Sequence, residues 1–202
     1  MKKSMAVFLS GSGRSLENFI RMLPDISIDV VISSKNNVRG IEIAKDHGIP
    51  VYVVERKKFP DHKVFSEAVN VILKDYPVSL IVLAGFLSRY DYPDEYEGRV
   101  MNIHPALIPS FSGQGYYGMK VHEAVWKSGV RVTGCTVHFA DREYDHGAII
   151  LQKVCPVFSH DDPHTIADRV FALEQQAFPE AIRMFLDSKL QIKDNRVIIE
   201  GD

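Results

Sequence analysis

Apolar runs alternate along the first half of the chain with segments whose apolar residues recur at helical spacing. The runs are nearly continuous, which is typical of strands buried on both faces, and they cover 5–9, 28–34, 51–54 and 78–84. The segments between them predict helices at 14–20, 38–47 and 59–73. Strands that alternate with helices predict a parallel sheet with right-handed crossovers, whose ligands bind beyond the carboxyl ends of the strands.

The second half of the chain has a different pattern. A strand ends at Asn102, and two β-rich segments flank a polar loop and predict antiparallel strands at 130–139 and 149–157. Helices are predicted at 119–127 and 163–186, where Pro179 would kink or divide the longer one, and a closing hairpin at 190–200. We therefore expect one α/β domain, 1–202, with a mostly parallel, Rossmann-like sheet flanked by helices and antiparallel strands in the C-terminal half.

Composition adds little chemistry and excludes some partners. The chain has 202 residues, of which 46% are hydrophobic and 25% are charged, with a net charge of −2. This near-neutral balance does not favour a nucleic-acid or membrane partner. Cys135 and Cys155 lack the paired spacing of a zinc site. The first apolar run of the chain, 5–9, is too short to be a signal segment. We expect a cytoplasmic protein with small-molecule ligands; the sequence leaves its oligomeric state open, a homodimer included.

Asn102 and His104 are the first candidates for chemistry. They are two positions apart on a predicted strand, so their side chains point to the same side, and Pro105 then ends regular pairing. Carboxamide and imidazole donors suit a carbonyl oxygen that becomes negative during acyl transfer. For the pair alone, a turn-capping Asn and a structural His are the more common explanation.

A glycine-rich turn between the first strand and the first helix is the second candidate. Gly11-Ser12-Gly13 precedes Arg14 and Ser15, and backbone N–H groups at such a turn can bind an anion. The third glycine of a dinucleotide site and the lysine of a P-loop are absent, so a phosphate monoester fits better than NAD or ATP. An ordinary strand-to-helix turn is an equally good explanation.

The polar loop 140–147 is the third candidate. Asp145 beside His104 would favour the imidazolium, raise the pKa of the ring and provide a general acid, although Asp141 and Glu143 compete for this role. A zinc cluster of His104, His138, Asp145 and His146 ranks lower because no tight ligand spacing supports it. The loop 109–117 follows an Ile108–Pro109 bond whose cis or trans state the sequence leaves open.

Five motifs occur in an order that resembles the formyltransferase family that uses 10-formyltetrahydrofolate. They are Ser10-Gly-Ser-Gly-Arg-Ser-Leu16, Leu83-Ala-Gly-Phe86, Asn102-Ile-His-Pro-Ala-Leu-Ile-Pro109, Thr136-Val-His-Phe139 and Asp145-x-Gly147-x-Ile-x-Leu-Gln152. The resemblance covers nearly the whole chain. The glycine-rich turn and the length favour the branch that formylates 5′-phosphoribosylglycinamide in purine biosynthesis. The additional domains of formyltetrahydrofolate hydrolases and methionyl-tRNA formyltransferases do not fit in 202 residues.

The resemblance implies a role for each matching position. Asn102, His104 and Asp145 would be catalytic, without a metal, and 10-formyltetrahydrofolate would be the cosubstrate. The phosphoribosylglycinamide would be bound by Gly13, Arg14, Ser15 and Glu174. The folate would be bound by His62, Leu87, Ser88, Arg89, Tyr90, Asn102, Asp141, Arg142, Glu143 and Tyr144.

Two positions depart from the family pattern, and two other functions stay open. His62 stands where an arginine often contacts the folate, so Lys58 or Lys63 could replace that contact, and the loop Gly113–Gly118 differs from the usual family loop. Formyltetrahydrofolate hydrolysis and phosphate-ligand binding without catalysis are the alternative functions.

Overall fold

The computed structural model describes residues 3–141 and 143–201. The chain separates into two compact units, and the division falls between Met101 and Asn102. Seven strands are hydrogen-bonded in the order β3-β2-β1-β4-β5-β6-β7, and a separate two-stranded sheet contains β8 and β9; the bounds of all nine follow below.

The first unit alternates strands and helices, as the apolar pattern predicts. Its strands are β1 (Ser4–Leu9), β2 (Ser27–Ser33), β3 (Val51–Val53) and β4 (Leu80–Leu83). Its helices are α1 (Arg14–Met22), α2 (Arg39–Asp46) and α3 (His62–Leu73), with 3-10 turns at Arg56–Lys58 and Asp94–Tyr96. Strand β1 pairs in parallel with β2 and β4, and β2 pairs in parallel with β3. The predicted parallel sheet is therefore confirmed.

Local chemistry explains where these elements begin and how they pack. All six residues of β1 are buried, and Phe8 contacts the rings of Phe86 and Tyr90 edge-on at centroid distances of 5.3 and 5.0 Å. Helix α3 begins after Asp61, whose carboxylate accepts the N–H groups of Lys63 and Val64.

The second unit contains the antiparallel part of the fold. Strand β5 (Val100–His104) crosses the division, and it is followed by α4 (Met119–Ser128), β6 (Val132–Phe139), β7 (Ile149–Pro156), α5 (Pro163–Leu186), β8 (Leu190–Lys193) and β9 (Arg196–Ile199). Strands β6 and β7 pair antiparallel, as do β8 and β9, so both predictions are confirmed.

Some boundaries differ from the predicted ones for physical reasons. Strand β5 continues to His104 and ends where Pro105 removes a backbone donor. Helix α5 runs without division through Pro179, which is buried. The Ile108–Pro109 peptide bond is cis. None of the helices in the described part of the chain combines the length and apolar character needed to cross a membrane.

Candidate active site

Three side chains named by the sequence analysis meet at the end of β5. The Nδ1 atom of His104 lies 3.4 Å from Oδ2 of Asp145, and Nδ2 of Asn102 lies 3.4 Å from Oδ1 of the same carboxylate. Only 4% of the His104 side chain and 10% of the Asp145 side chain are exposed to solvent. The alternation of side chains along β5 places the Asn102 amide and the His104 ring on the same side of the strand. The loop after β6 places the Asp145 carboxylate within reach of both side chains.

Backbone groups from the loop after β5 complete the surroundings of His104. Its Nε2 atom lies 2.8 Å from the carbonyl oxygen of Phe111, which can only accept, so Nε2 bears a proton and donates it. In the neutral ring, Nδ1 is then an unprotonated acceptor that faces the carboxylate. A proton added at Nδ1 would therefore lie between the His104 ring and the Asp145 carboxylate.

The pKa of His104 lies below its ordinary value. Burial lowers the pKa because it disfavours the charged ring, and the nearby His138 acts in the same direction. The charge of Asp145 and the carbonyl of Phe111 raise the pKa, but burial is the largest effect. The Asp145 carboxylate thus raises the pKa of His104 as expected, but the expected net increase is wrong because it omitted burial.

Asp145 is held as an anion. Burial raises the pKa of its carboxyl, but the His138 and His104 rings when they are protonated, together with the Gly113 N–H, outweigh that effect and lower the pKa overall. The Gly113 N–H donates to Oδ2 at 3.0 Å. The backbone φ of Asp145 is 55°, a left-handed conformation that Asp and Asn adopt more readily than most residues.

The orientation of the Asn102 amide depends on His138, which the sequence analysis weighed only as a metal ligand. The Nδ1 atom of His138 donates to the Phe139 carbonyl oxygen at 2.9 Å, which leaves Nε2 to accept from Nδ2 of Asn102 at 3.2 Å. A flipped amide would direct its oxygen at this acceptor and at the Asp145 carboxylate. Both N–H groups of Asn102 therefore face acceptors, His138 and Asp145.

Asp141, the other half-buried carboxylate of the loop, pairs with His146 rather than with His104. Oδ2 of Asp141 lies 2.7 Å from Nδ1 of His146, and Oδ1 of Asp141 accepts the Glu143 N–H. The Asp141 charge raises the pKa of His146 above its ordinary value. Within 3–141 and 143–201, no group of three or more His, Cys, Asp and Glu side chains is arranged to hold a metal ion.

The backbone of Gly147, at the end of the loop that contains Asp145, lies close to the backbone of Phe139. A Cβ atom at Gly147 would lie 2.0 Å from the carbonyl oxygen of Phe139, so only glycine fits without a shift of the loop. The glycine at position 147 therefore has a local structural reason.

The glycine-rich turn leads into α1 in the first unit. Gly13 has a left-handed φ of 73°, and a Cβ there would lie 2.5 Å from the Cα of Gly40. Packing against Gly40 therefore requires a glycine at position 13, whether or not a ligand binds there. Arg14 is exposed and Ser15 is half-buried at the first turn of α1, where backbone N–H groups point along the helix axis. Gly11 has open space around the position of a Cβ.

Among the expected folate-contacting residues of the first unit, His62 and Arg89 meet at Asp91. Nε2 of His62 lies 3.2 Å from one oxygen of this carboxylate, and Nε of Arg89 lies 3.4 Å from the other. Leu87 is exposed and Ser88 is half-buried. Tyr90, by contrast, is buried against Phe8 and donates its hydroxyl to Asn70, so only its backbone remains for a ligand.

The remaining expected contacts belong to the second unit. Glu143 and Tyr144 are exposed, and Asp141 is half-buried. Arg142 lies outside the described residues. Glu174 is half-buried on α5, and its charge adds to the burial that raises the pKa of Cys135 to about 12.

The Asn102, His104 and Asp145 cluster on this α/β fold has donors and acceptors that can stabilise charge and exchange protons at a carbonyl group. The family described as "Formyl transferase" matches residues 3–182. The chain therefore belongs to the formyl transferase family.

Individual relatives agree with this membership. The chain is 34% identical to "Phosphoribosylglycinamide formyltransferase, chloroplastic" of Arabidopsis thaliana, over 97% of this chain and 70% of that protein. It is 39% identical to the "Trifunctional purine biosynthetic protein adenosine-3" of Gallus gallus over 95% of this chain, but it spans only 19% of that protein. The crystal structure of glycinamide ribonucleotide transformylase 1 from Symbiobacterium toebii matches with a TM-score of 0.88 and 32% identity, covering 97% of this chain and 93% of that one.

Proposed function

We propose that this protein transfers the formyl group of 10-formyltetrahydrofolate to the amino group of 5′-phosphoribosylglycinamide in purine biosynthesis. The observation that supports this most directly is the contact of Asn102 and His104 with one buried carboxylate, Asp145, in a member of the formyl transferase family. Relatives that are named for this reaction support the choice of substrate.

The amine of the substrate attacks the formyl carbon, and the carbonyl oxygen gains negative charge. An N–H of Asn102 and the Nε2–H of His104 donate to this oxygen. To do so, Nε2 of His104 gives up its hydrogen bond to the Phe111 carbonyl, and one N–H of Asn102 gives up its contact with His138 or Asp145.

The same pair then moves the protons. The attacking nitrogen must lose a proton, and Nδ1 of neutral His104 accepts it through a water, because Nε2 of the same ring faces the formyl oxygen. The resulting imidazolium is stabilised by the Asp145 carboxylate 3.4 Å away. The folate N10 leaves as a neutral amine when it receives a proton from the imidazolium, which restores the neutral ring. The low pKa of His104 favours this order, since the ring begins as a base.

Substrate contacts follow the family pattern. Backbone N–H groups at Gly13 and Ser15, with the charge of Arg14, bind the phosphate, and Glu174 binds the ribose or glycinamide end. The folate contacts are made by the two other groups of residues, namely His62, Leu87, Ser88, Arg89 and the backbone of Tyr90, and the loop Asp141, Arg142, Glu143 and Tyr144.

The remaining features of the proposal concern the protein as a whole. Residues 1–202 act as one formyltransferase domain in the cytoplasm, as a monomer or a homodimer. Its partners are small molecules rather than nucleic acid or membrane, and no metal takes part in the reaction.

A formyl-transfer assay tests the proposal. Purified protein is mixed with 10-formyltetrahydrofolate and with or without 5′-phosphoribosylglycinamide, and both tetrahydrofolate and formate are measured. We expect tetrahydrofolate to form only with the acceptor present, at a rate that Asn102→Ala, His104→Ala and Asp145→Ala each abolish or greatly reduce. Formate release that is independent of the acceptor would identify a hydrolase, and binding without turnover would identify a binding protein.

A further inference from the structure

Thr136 and Gln152 belong to the family-like motifs, but the proposed mechanism gives them no role. They lie opposite each other on the antiparallel strands β6 and β7. Thr136 is completely buried, and its hydroxyl has three partners. It donates to the carbonyl oxygen of Ala106 at 2.7 Å, and it accepts from the Ile108 N–H at 3.1 Å and from the Gln152 amide at 2.9 Å. The hydrogen-bonding capacity of this hydroxyl is therefore fully used.

The Gln152 amide is used in the same way. Its Nε2 atom donates to Thr136 and, at 3.1 Å, to the carbonyl oxygen of Ile108. Gln152 is exposed overall, but its amide ends inside this network. The Thr136–Gln152 pair thus binds two carbonyl groups and one N–H of a single turn, 106–108.

This turn directly follows His104 and Pro105. Regular strand pairing ends at His104, and Pro105 has no N–H, so the backbone groups of the turn need partners outside the strand ladder. The Thr136–Gln152 pair supplies them. Leu107 of the same turn lies over Gly134, where a Cβ would approach its side chain to 3.0 Å. The chain is therefore fixed immediately before and immediately after the catalytic histidine.

We infer that Thr136 and Gln152 are positioning residues, which fix the turn 106–108 and thereby the placement of the His104 ring during formyl transfer. This inference rests on the proposed function for its kinetic part. If His104 exchanges the Phe111 carbonyl for the formyl oxygen, the ring needs an anchor that persists through the exchange. The Thr136–Gln152 pair provides it, since its bonds involve neither substrate nor Phe111.

The experiment compares matched variants of the full chain. Thr136→Val keeps the shape and removes the hydroxyl, Thr136→Ser keeps the hydroxyl, and Gln152→Met removes the amide at an exposed position. Thr133→Val is the control, because Thr133 is a buried threonine on the same strand, three residues from the pair. Displacement of a catalytic group can cost as much as roughly 10²-fold in rate, so we expect Thr136→Val and Gln152→Met to lower kcat by about 10-fold or more.

The KM values and an activity-independent signal separate positioning from loss of binding or folding. The KM for each substrate should stay within about threefold, because the variants remove no substrate contact. Thr136→Ser should recover most of kcat, and Thr133→Val should resemble the original chain. In NMR spectra, the slowly exchanging Nε2–H signal of His104 should shift or broaden in Thr136→Val and Gln152→Met only.

The outcomes are distinct. A kcat for Thr136→Val and Gln152→Met equal to that of Thr133→Val, with an unchanged His104 signal, would overturn the inference. If Thr136→Val does not fold, Gln152→Met and Thr136→Ser decide the question. If the original chain formylates no phosphoribosylglycinamide, the proposed function fails, while the His104 signal still tests the positioning role.

Discussion

The Asp145 carboxylate faces an unprotonated nitrogen of His104 at 3.4 Å. The second ring nitrogen already donates to the Phe111 carbonyl. Because burial lowers the pKa of the ring, the contact becomes a full ion pair only when a proton arrives at Nδ1. The unliganded pair is thus arranged to receive a proton and to hold the resulting charge.

Replacing Asp145 with asparagine tests this arrangement. The amide cannot stabilise an imidazolium, so kcat should fall by roughly 10²-fold or more while both KM values change little. The left-handed φ of 55° at this position suits Asn, so the loop should keep its fold. The pKa of His104, followed by NMR, should fall further, because the charge that raises it is gone.

Asp141→Asn and Glu143→Gln serve as controls for Asp145→Asn. Asp141 pairs with His146 rather than with His104, so its replacement should affect turnover much less. A folded Asp145→Asn variant with near-original kcat, or loss of turnover in Asp141→Asn alone, would contradict the proposed proton transfer.

A second prediction concerns Gly147. In Gly147→Ala, the added Cβ would meet the Phe139 carbonyl oxygen at 2.0 Å, so the loop that holds Asp145 must shift. We expect a lower Tm and a loss of kcat larger than the change in either KM, since displacement of catalytic groups can cost as much as roughly 10²-fold in rate. Gly11→Ala is the control for Tm and for kcat at saturating substrate, because a Cβ there meets nothing within 4 Å; its KM for the ribonucleotide is not compared, since Gly11 belongs to the candidate phosphate turn. Equal Tm and kcat in the two variants would show that the loop adapts.

Apolar patterning was sufficient to predict most elements of the fold. Helix α5 has the predicted bounds, 163–186, because its apolar spacing is long and Asp162 caps its start. The division expected at Pro179 does not occur: the buried face of α5 continues through it. Tertiary packing of the buried face of α5 therefore outweighed the tendency of proline to interrupt a helix.

The site was harder to predict, because side-chain partners depend on tertiary contacts. The strand alternation correctly indicated that Asn102 and His104 share a side. Single residue types could not reveal that His138 orients the Asn102 amide or that Thr136 and Gln152 hold the turn. Tyr90 looked like a pocket residue, but its ring is in the core and its hydroxyl reaches Asn70. A buried hydroxyl whose partner is distant in sequence cannot be recognised from the sequence alone.

The third prediction addresses the phosphate site at the start of α1. Substitution of Gly13 is a poor test, since its Cβ would collide with the backbone of Gly40. Arg14 is exposed, so Arg14→Ala should leave the fold intact. If its charge contributes a hydrogen bond to the phosphate, worth about 1.5–3 kcal/mol, the KM for the ribonucleotide should rise about 10-fold or more, with an unchanged KM for the folate.

Arg39→Ala is the matched control for Arg14→Ala. Arg39 is also an exposed arginine at the start of a helix, and it pairs with Glu17 at 3.3 Å. A rise in the folate KM of Arg14→Ala, or an equal rise of the ribonucleotide KM in both variants, would assign the turn to another ligand or to general electrostatics.

The last prediction concerns His122, whose buried ring makes stability depend on pH. Burial, assisted by the charge that His104 carries when it is protonated, lowers the pKa of His122 to about 4, and its Nδ1 atom has no hydrogen-bond partner among the described residues. Between the ordinary pKa of 6.5 and about 4, the unfolded chain binds a proton that the folded chain does not. The free energy of unfolding should therefore be highest above pH 6.5 and fall as the pH decreases to about 4, by up to roughly 3 kcal/mol from this residue. In urea titrations between pH 7 and 5, His122→Phe should weaken the dependence of the free energy of unfolding on pH. His164→Gln is the control at an exposed position and should leave this dependence unchanged. An unchanged slope in a folded His122→Phe variant would mean that another group, such as His104, controls the loss of stability in acid.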